Sequence, residues 1–215
     1  GNITFIRNKV LQMNTPNATI DQGGDQDFGG GAAITRTAAG QPIQSYYGYI
    51  VEGIFQSADD VARSPVQNPG TAAGDLKFRD VNGDGKITDA DRTYLGNYIP
   101  DFSYALNLGA SYKNFDLSLF FQGVQGNKIF NAARVITEGM ARLFNSGTAV
   151  LDAWTPSNTD TDIPRAISGD PNQNVRPSTR WLEDGSYLRL KNVILGYNIP
   201  PTRLRSLTRG TISSF

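Results

Sequence analysis

The clearest pattern in the chain is a strict alternation of apolar with small or polar residues between Asp101 and Gln122. Phe102, Tyr104, Leu106, Leu108, Ala110 and Tyr112 share one face of an extended segment, and Ser103, Ala105, Asn107, Gly109 and Ser111 share the other. Lys113-Asn114 is a tight turn. After it Phe115, Leu117, Leu119 and Phe121 alternate with Asp116, Ser118, Phe120 and Gln122. A period of two predicts β-strands. Each segment is about ten residues long, the length of a tilted strand that crosses a bilayer. One apolar face and one small, polar face is what a barrel with lipid outside and water inside requires. The same alternation suits a half-buried hairpin in a soluble sandwich.

Further strands are predicted over Asn2–Met13, Ile34–Thr37, Ile43–Phe55 and Tyr187–Asn198. In the last, Val193, Leu195 and Tyr197 oppose Asn192, Ile194 and Gly196. A basic segment, Thr202–Arg209, leads to a new strand beginning at Thr211. Asn14–Ala32 reads as a polar, glycine-rich loop. The connections Gln56–Tyr98 and Gly126–Ser186 are long, and structureless connections of that size are uncommon in compact domains. Short turns at one end and long loops at the other is the organisation of outer-membrane barrels. Ile129, Ala133, Ile136, Met140 and Leu143 recur at helical spacing and predict a short amphipathic helix over Lys128–Asn145. Its apolar stripe is expected to pack on the loop or on a barrel rim.

Composition narrows the function. Lysine plus arginine and aspartate plus glutamate each number 20, so the net charge of zero gives no pull toward nucleic acid or an anionic surface. With no cysteine there is no disulfide, thiolate nucleophile or thiolate metal site. With no histidine the commonest general base is missing, and a Ser-His-Asp triad is excluded from this stretch. The loop carboxylates Asp152, Asp160, Asp162, Glu183 and Asp184 could formally support glycoside hydrolysis, but nothing singles out a pair. An enzyme is therefore not expected. Trp154 and Trp181 could stack on sugars or pack the loops against one another. No apolar run approaches the roughly 20 residues of a membrane helix. The start at Gly1 without a leader and the end at Ser213-Ser214-Phe215, where a strand is only beginning, are expected to be cuts in a longer protein.

One loop carries candidate metal chemistry. Asp80-Val81-Asn82-Gly83-Asp84-Gly85-Lys86-Ile87-Thr88-Asp89-Ala90-Asp91 follows the EF-hand-type pattern. Asp80, Asn82 and Asp84 stand at positions one, three and five, Gly85 at six, the Lys86 carbonyl at seven and Asp91 at twelve. A hard cation such as Ca²⁺ needs several oxygens at one centre, and alternate side chains of a tightly wound loop supply them. Two features depart from the pattern: position twelve is Asp and not Glu, and no helix precedes the loop. The alternative is a turn held by Asx hydrogen bonds without metal.

Four segments resemble the SusC/RagA-like TonB-linked outer-membrane transporters, and the likeness covers most of the chain from about Gly40 onward. They are Gly40-Gln41-Pro42-Ile43 with Tyr46-Tyr47-Gly48-Tyr49 and Glu52-Gly53-Ile54-Phe55-Gln56; Gly74–Arg79 running into the calcium-like loop, then Asp91-Arg92 and Leu95-Gly96-Asn97; Pro100-Asp101-Phe102 with Phe115–Ser118 and Phe121-Gln122-Gly123; and Trp154-Thr155-Pro156 and Pro164-Arg165 with Leu188–Val193 and Leu195-Gly196-Tyr197. The resemblance implies an all-β fold, part of a transmembrane antiparallel barrel of about 22 strands with an N-terminal plug, bearing long extracellular loops. Residues 1–215 would be its C-terminal portion. It further implies outer-membrane import of glycan fragments or peptides, a SusD-like surface lipoprotein as partner and energy delivered through TonB, with plug, TonB-contacting region and final strands outside this sequence. The alternative is a secreted or surface carbohydrate-binding β-domain with a calcium-stabilised loop. Dockerin-like modules share the loop pattern but are short, helical and duplicated. The outward face of Phe102–Tyr112 and Phe115–Phe121 separates the two readings, since it meets lipid in a barrel and a second sheet in a sandwich.

Overall fold

The computed structural model describes residues 1–24, 31–142 and 145–200. The strand expected at Thr211, the basic segment before it and Leu143 lie outside the described residues. In chain order the elements are β1 (Asn2–Phe5), β2 (Thr19–Gln22), β3 (Thr35–Ala38), β4 (Ser45–Gly48), β5 (Val51–Ile54), α1 (Ala58–Ala62), β6 (Leu76–Phe78), β7 (Thr93–Gly96), β8 (Phe102–Tyr112), β9 (Phe115–Gln125), β10 (Lys128–Phe130), α2 (Ala132–Glu138), β11 (Leu182–Asp184) and β12 (Tyr187–Tyr197). They divide into two compact units. One holds Gly1–Ile6, Pro100–Gly126 and Ser186–Phe215, the other Arg7–Ile99 and Asn127–Gly185.

The first unit is an antiparallel sheet in the order β1-β8-β9-β12. Register fixes which side chains share a face. Leu106 opposes Phe121, Leu108 opposes Leu119, Ala110 opposes Leu117 and Tyr112 opposes Phe115. Val193, Leu195 and Tyr197 extend the same rows through Leu119, Leu117 and Phe115. Ile3 and Phe5 add to them opposite Tyr104 and Phe102. A register shift between Leu190 and Asn192 inserts Lys191 as an extra residue, and beyond it Leu190 pairs with Phe121 and Leu188 with Gly123. A one-residue shift in a period-two strand moves every later side chain to the other face. Here it returns Leu190 and Leu188 to the apolar face and sends Arg189 to the polar one.

The second unit contains the buried apolar residues of the described chain: Ile34, Tyr49, Phe55, Leu76, Phe78, Ile87, Val135, Ala153, Trp154, Ile163 and Trp181. It holds the sheet β2-β3-β4-β7 and the pairs β5-β6 and β10-β11. Tyr49, Leu76, Phe78 and Ile87 form the centre, flanked by Val51 and Ile54. A buried polar network ties the two connections together. Arg165 donates through Nε and Nη2 to both oxygens of Asp75 (2.9 Å each), and Asn174 Nδ2 and the Ala72 N–H complete its shell. Asn172 bridges Gln67, Thr71 and the Leu76 carbonyl.

Several expectations change. Residues 34–37 and 43–55 are extended, in the pieces β3, β4 and β5, but they belong to the second unit and not to the long sheet. The first strand stops at Phe5, and everything from Arg7 to Ile99 lies between two strands that pair directly. The long connections are thus folded and not structureless. The glycine-rich loop contains β2, which pairs with β3 and is fastened by the Arg36–Asp21 ion pair at 2.7 Å. The helix is shorter and turned. Lys128–Phe130 is a strand paired with β11, and the Asn131 side chain accepts the Arg134 N–H to start α2. Met140, at φ 52, lies beyond its end. Ala133 and Ile136 are exposed and Val135 is buried.

Candidate functional site

The long sheet presents the first candidate surface. Leu106, Leu108, Leu117, Leu190, Val193 and Leu195 are 38–69 % exposed on a single face, an unusual amount of aliphatic surface to leave in water. Aromatic residues close both ends of the band. Phe5 and Phe102 are 5.6 Å apart and Phe102 and Tyr104 5.9 Å, at the end where the long connections leave. Phe115 and Tyr197 stand 4.8 Å apart beside the two-residue turn. Ten strand steps from Phe102 to Tyr112 at about 3.4 Å each, tilted by about 40°, project to about 26 Å, close to the height of an outward apolar band. Gly123 belongs to this construction, because a Cβ there would sit 2.4 Å from the Tyr104 ring. The opposite face carries Ser103, Asn107, Ser118, Gln122 and Asn192, with Phe120, Val124, Tyr187 and Ile194 as its large apolar members. The alternation read from sequence is therefore met along β8 and β9 and along β12 from Asn192 onward, and is broken in β12 at Lys191.

The loop at 80–91 is built around its own backbone. Gly83 and Gly85 N–H groups donate to the two oxygens of Asp80 (2.6 and 2.7 Å), Asp84 N–H to Asn82 Oδ1 (2.9 Å) and Lys86 N–H to Asp84 Oδ1 (2.9 Å). Gly85 has φ 80, a conformation that side chains resist. Asp91 is fully buried. Its Oδ1 accepts the Val81 and Asn82 N–H groups (2.9 and 3.4 Å), and its Oδ2 accepts the Thr88 N–H and hydroxyl (2.7 and 3.4 Å). Burial pushes its carboxyl upward, but the backbone N–H groups of Thr88, Val81 and Asn82 outweigh that and hold it below the usual carboxylate value. Ile87 anchors the loop in the core, and the Tyr49 hydroxyl donates to Asp89 at 3.0 Å. Burial, with a smaller contribution from that carboxylate, pushes the Tyr49 phenol up to about 12.

The donor set fits a hard cation in part. Asp80, Asn82 and Asp84 keep oxygen lone pairs beyond those used by N–H groups, and the Lys86 carbonyl follows in the pattern. Asp91, by contrast, has four donors on its two oxygens and serves to close the ends of the loop. No three acidic side chains among the described residues gather as a metal cluster.

A cavity of about 340 Å³ opens in the second unit, lined among others by Val51, Ile54, Leu76, Arg134, Thr179 and Arg180. Its cations are already balanced: Arg134 donates through Nε and Nη2 to Glu138 (2.9 Å each), and Arg180 Nη2 reaches the same carboxylate at 3.3 Å. The Glu138 hydrogen bond raises the Arg134 pKa, and burial lowers that of Arg180. Trp154 and Trp181 are both buried, their indole N–H groups donating to Gln56 Oε1 (3.0 Å) and to the Arg176 carbonyl (3.2 Å). They pack loops and offer no open platform. Asp152 and Glu183 are held by Asn158 and Asn131 respectively. The charges that sequence reading passed over are Arg189 and Lys191, because only the bulge reveals which face they take.

No known family model matches the chain. It is 37 % identical over 166 residues to TonB-dependent receptor P3 of Formosa agariphila, covering 77 % of this chain and 16 % of that protein. It is 35 % identical over 198 residues to receptor P26 of the same organism, covering 92 % and 20 %. TonB-dependent receptor SusC of Bacteroides thetaiotaomicron is 24 % identical over 206 residues, covering 92 % and 18 %. Among solved structures the RagAB peptide transporter superposes with a TM-score of 0.59 at 26 % identity, over 79 % of this chain and 17 % of that one. The chain thus spans a fifth or less of the length of these relatives. With that neighbour beside it, the sheet β1-β8-β9-β12 is a section of a partial antiparallel barrel.

Proposed function

We propose that this chain, which belongs to the SusC/RagA-like TonB-dependent receptors, supplies a section of wall and two external connections to an outer-membrane barrel that imports nutrients. The observation that carries the reading is the apolar band. It runs in register across β8, β9 and β12, is exposed over Leu106, Leu108, Leu117, Leu190, Val193 and Leu195 with Leu119 and Phe121 half-buried, and is bounded by aromatics at both ends. Lipid is the solvent in which such a band is stable. The folded connections Arg7–Ile99 and Asn127–Gly185 leave from one end of the sheet, which becomes the external end. The imported solute is a glycan fragment or a peptide. The peptide transporter among the structural neighbours supports the second, and the resemblance to SusC-type proteins the first. A SusD-like lipoprotein would deliver it, TonB would energise import through a segment outside these residues, and no covalent chemistry falls to this stretch. The 80–91 loop would brace its connection, with Ca²⁺ as an added ligand of Asp80, Asn82, Asp84 and the Lys86 carbonyl.

Intact mass and peptide mapping of the native protein from an outer-membrane fraction test the proposal. The expected result is a membrane-bound chain several-fold larger than the 23.4 kDa of these residues. A soluble native chain of about that size could not close such a barrel, and would leave the calcium-stabilised carbohydrate-binding domain as the better reading.

A further inference from the structure

The polar face of the long sheet has an uneven charge distribution. Arg189 pairs in register with Gln122, which in turn pairs with Ala105, so its side chain belongs with Ser103, Asn107 and Gln122. Lys191, the extra residue of the bulge, donates from Nζ to Gln122 Oε1 at 3.3 Å and so joins the same face. The guanidinium of Arg189 lies 5.1 Å over the Tyr187 ring. Neither cation makes an ion pair within the described residues. On this face the described strands carry one carboxylate, Asp116, which opposes Ser111 and Gly196 near the two-residue turn and accepts from Asn198 Nδ2 at 2.7 Å. Six strand steps separate it from Gln122, about 20 Å, well past the distance over which charges in salt water feel one another. Two like charges therefore sit together in the middle of the sheet, on the side nearer to where the chain leaves at Gly126 and returns at Ser186, and neither is paired with the Asp101 carboxylate that packs against Gly126 at that edge.

The bulge makes this pairing. Without the extra residue, Arg189 would fall on the apolar face with Val193, where a charge meets lipid at a cost of about 2–4 kcal/mol near the midplane. With it, both cations are turned inward and both leucines outward.

We propose that Arg189 and Lys191 form an anion-binding step on the inner surface of the barrel wall, about halfway along its strands, taking a carboxylate, sulfate or phosphate group of the imported solute. The step rests on the transport reading above and gives the solute a charge. Arg supplies a planar fork matched to two oxygens, Lys a mobile point charge, and Gln122 a fixed partner that spaces them. On a water-facing wall two cations without an ion-pair partner among the described residues also raise the local concentration of anions.

The test uses the full-length receptor purified from cells, with dextran sulfate and uncharged dextran of equal chain length as probes. Dextran sulfate is expected to bind and dextran not to. Combined Arg189→Gln and Lys191→Gln should weaken dextran sulfate binding by about tenfold or more, the size of one lost charge-assisted hydrogen bond, while Arg189→Lys with Lys191→Arg should keep most of it. Raised salt should weaken the wild type and leave the glutamine double variant little changed. The proposal is overturned if the wild type ignores dextran sulfate, if it binds both probes alike, or if the double variant binds like the wild type. Failure of the glutamine variant alone to assemble, with the charge-conserving variant assembled, would also overturn it, since the cations would then be holding an acidic segment of the protein itself. Membrane fractionation of the wild type reads the transport proposal separately, whichever dextran binds.

Discussion

Asp91 gathers four donors onto one buried carboxylate, and that arrangement sets how the 80–91 loop answers to pH. Its folded pKa lies below the unfolded value, so the stabilisation is fully present above the unfolded carboxylate pKa of about 3.9 and is lost as pH falls through the lower folded value. Limited proteolysis of the intact receptor should therefore show the 80–91 segment protected at neutral pH and cut progressively faster only in strong acid. Asp91→Asn turns an amide toward donors and should cost about 1–3 kcal/mol at neutral pH, read as faster cleavage there that no longer responds to acid. The neighbouring oxygens define a different experiment. Asp80, Asn82 and Asp84 without a free twelfth ligand should bind Ca²⁺ weakly, on the order of 10⁻⁴–10⁻³ M, and Asp80→Asn should abolish the calorimetric signal. A tight site, or one untouched by Asp80→Asn, would show that the ligands are not these. The Asp75–Arg165 pair is less forgiving than either. Arg165→Ala leaves the fully buried Asp75 without its cation, and about 3 kcal/mol of loss in thermal unfolding of the second unit is expected.

At the scale of elements, the two faces of β8 and β9 make opposite demands. A lysine or arginine at Leu106, Leu108, Leu117 or Leu119 should impair barrel assembly, at about 2–4 kcal/mol near the midplane, and the same change at Asn107 or Ser118 should be tolerated. Heat-modifiable mobility of the assembled receptor reads both, and equal tolerance would remove the lipid from the argument. β12 adds a sharper case. Deleting Lys191 should put Leu188 and Leu190 among Asn107 and Gln122 and expose Arg189 to lipid, a larger defect than any single substitution. This hairpin and the last half of β12 were legible in sequence because their period is unbroken. The slip at Lys191 was not legible in the sequence, which reads as alternating through Tyr187–Asn198, because it shows only in the pairing of Leu190 with Phe121 and Asn192 with Phe120. β2 was not legible at all: Thr19-Ile20-Asp21-Gln22 has no apolar stripe and is extended through its ladder to β3 and the Arg36–Asp21 pair. The helix was seen and its phase missed, because an apolar stripe through Ile129 assumed a start before Asn131, and the cap at Asn131 begins the helix after a strand. The metal loop was legible as spacing, while the saturation of Asp91 is a matter of geometry that spacing does not carry.

At the scale of the molecule, the two units have opposite relations to water. The second buries tryptophans, phenylalanines and an ion pair among the described residues. The first fully buries no apolar side chain among the described residues and leaves most of one aliphatic and aromatic face exposed or half-exposed. Its outer strands β1 and β12 have a described neighbour on one side only, so these residues cut from the longer receptor would present open ladders that invite pairing with another chain. Expressed alone, Gly1–Phe215 should therefore recover in the insoluble or detergent-extracted fraction, and even in detergent should associate through those edges. The same strands within the longer receptor should be protected from amide exchange. A monomer soluble in water without detergent, with β8, β9 and β12 protected, would mean that the apolar face is covered by protein and not lipid. That result would turn the sheet into half of a sandwich and carry the whole molecule to the carbohydrate-binding alternative.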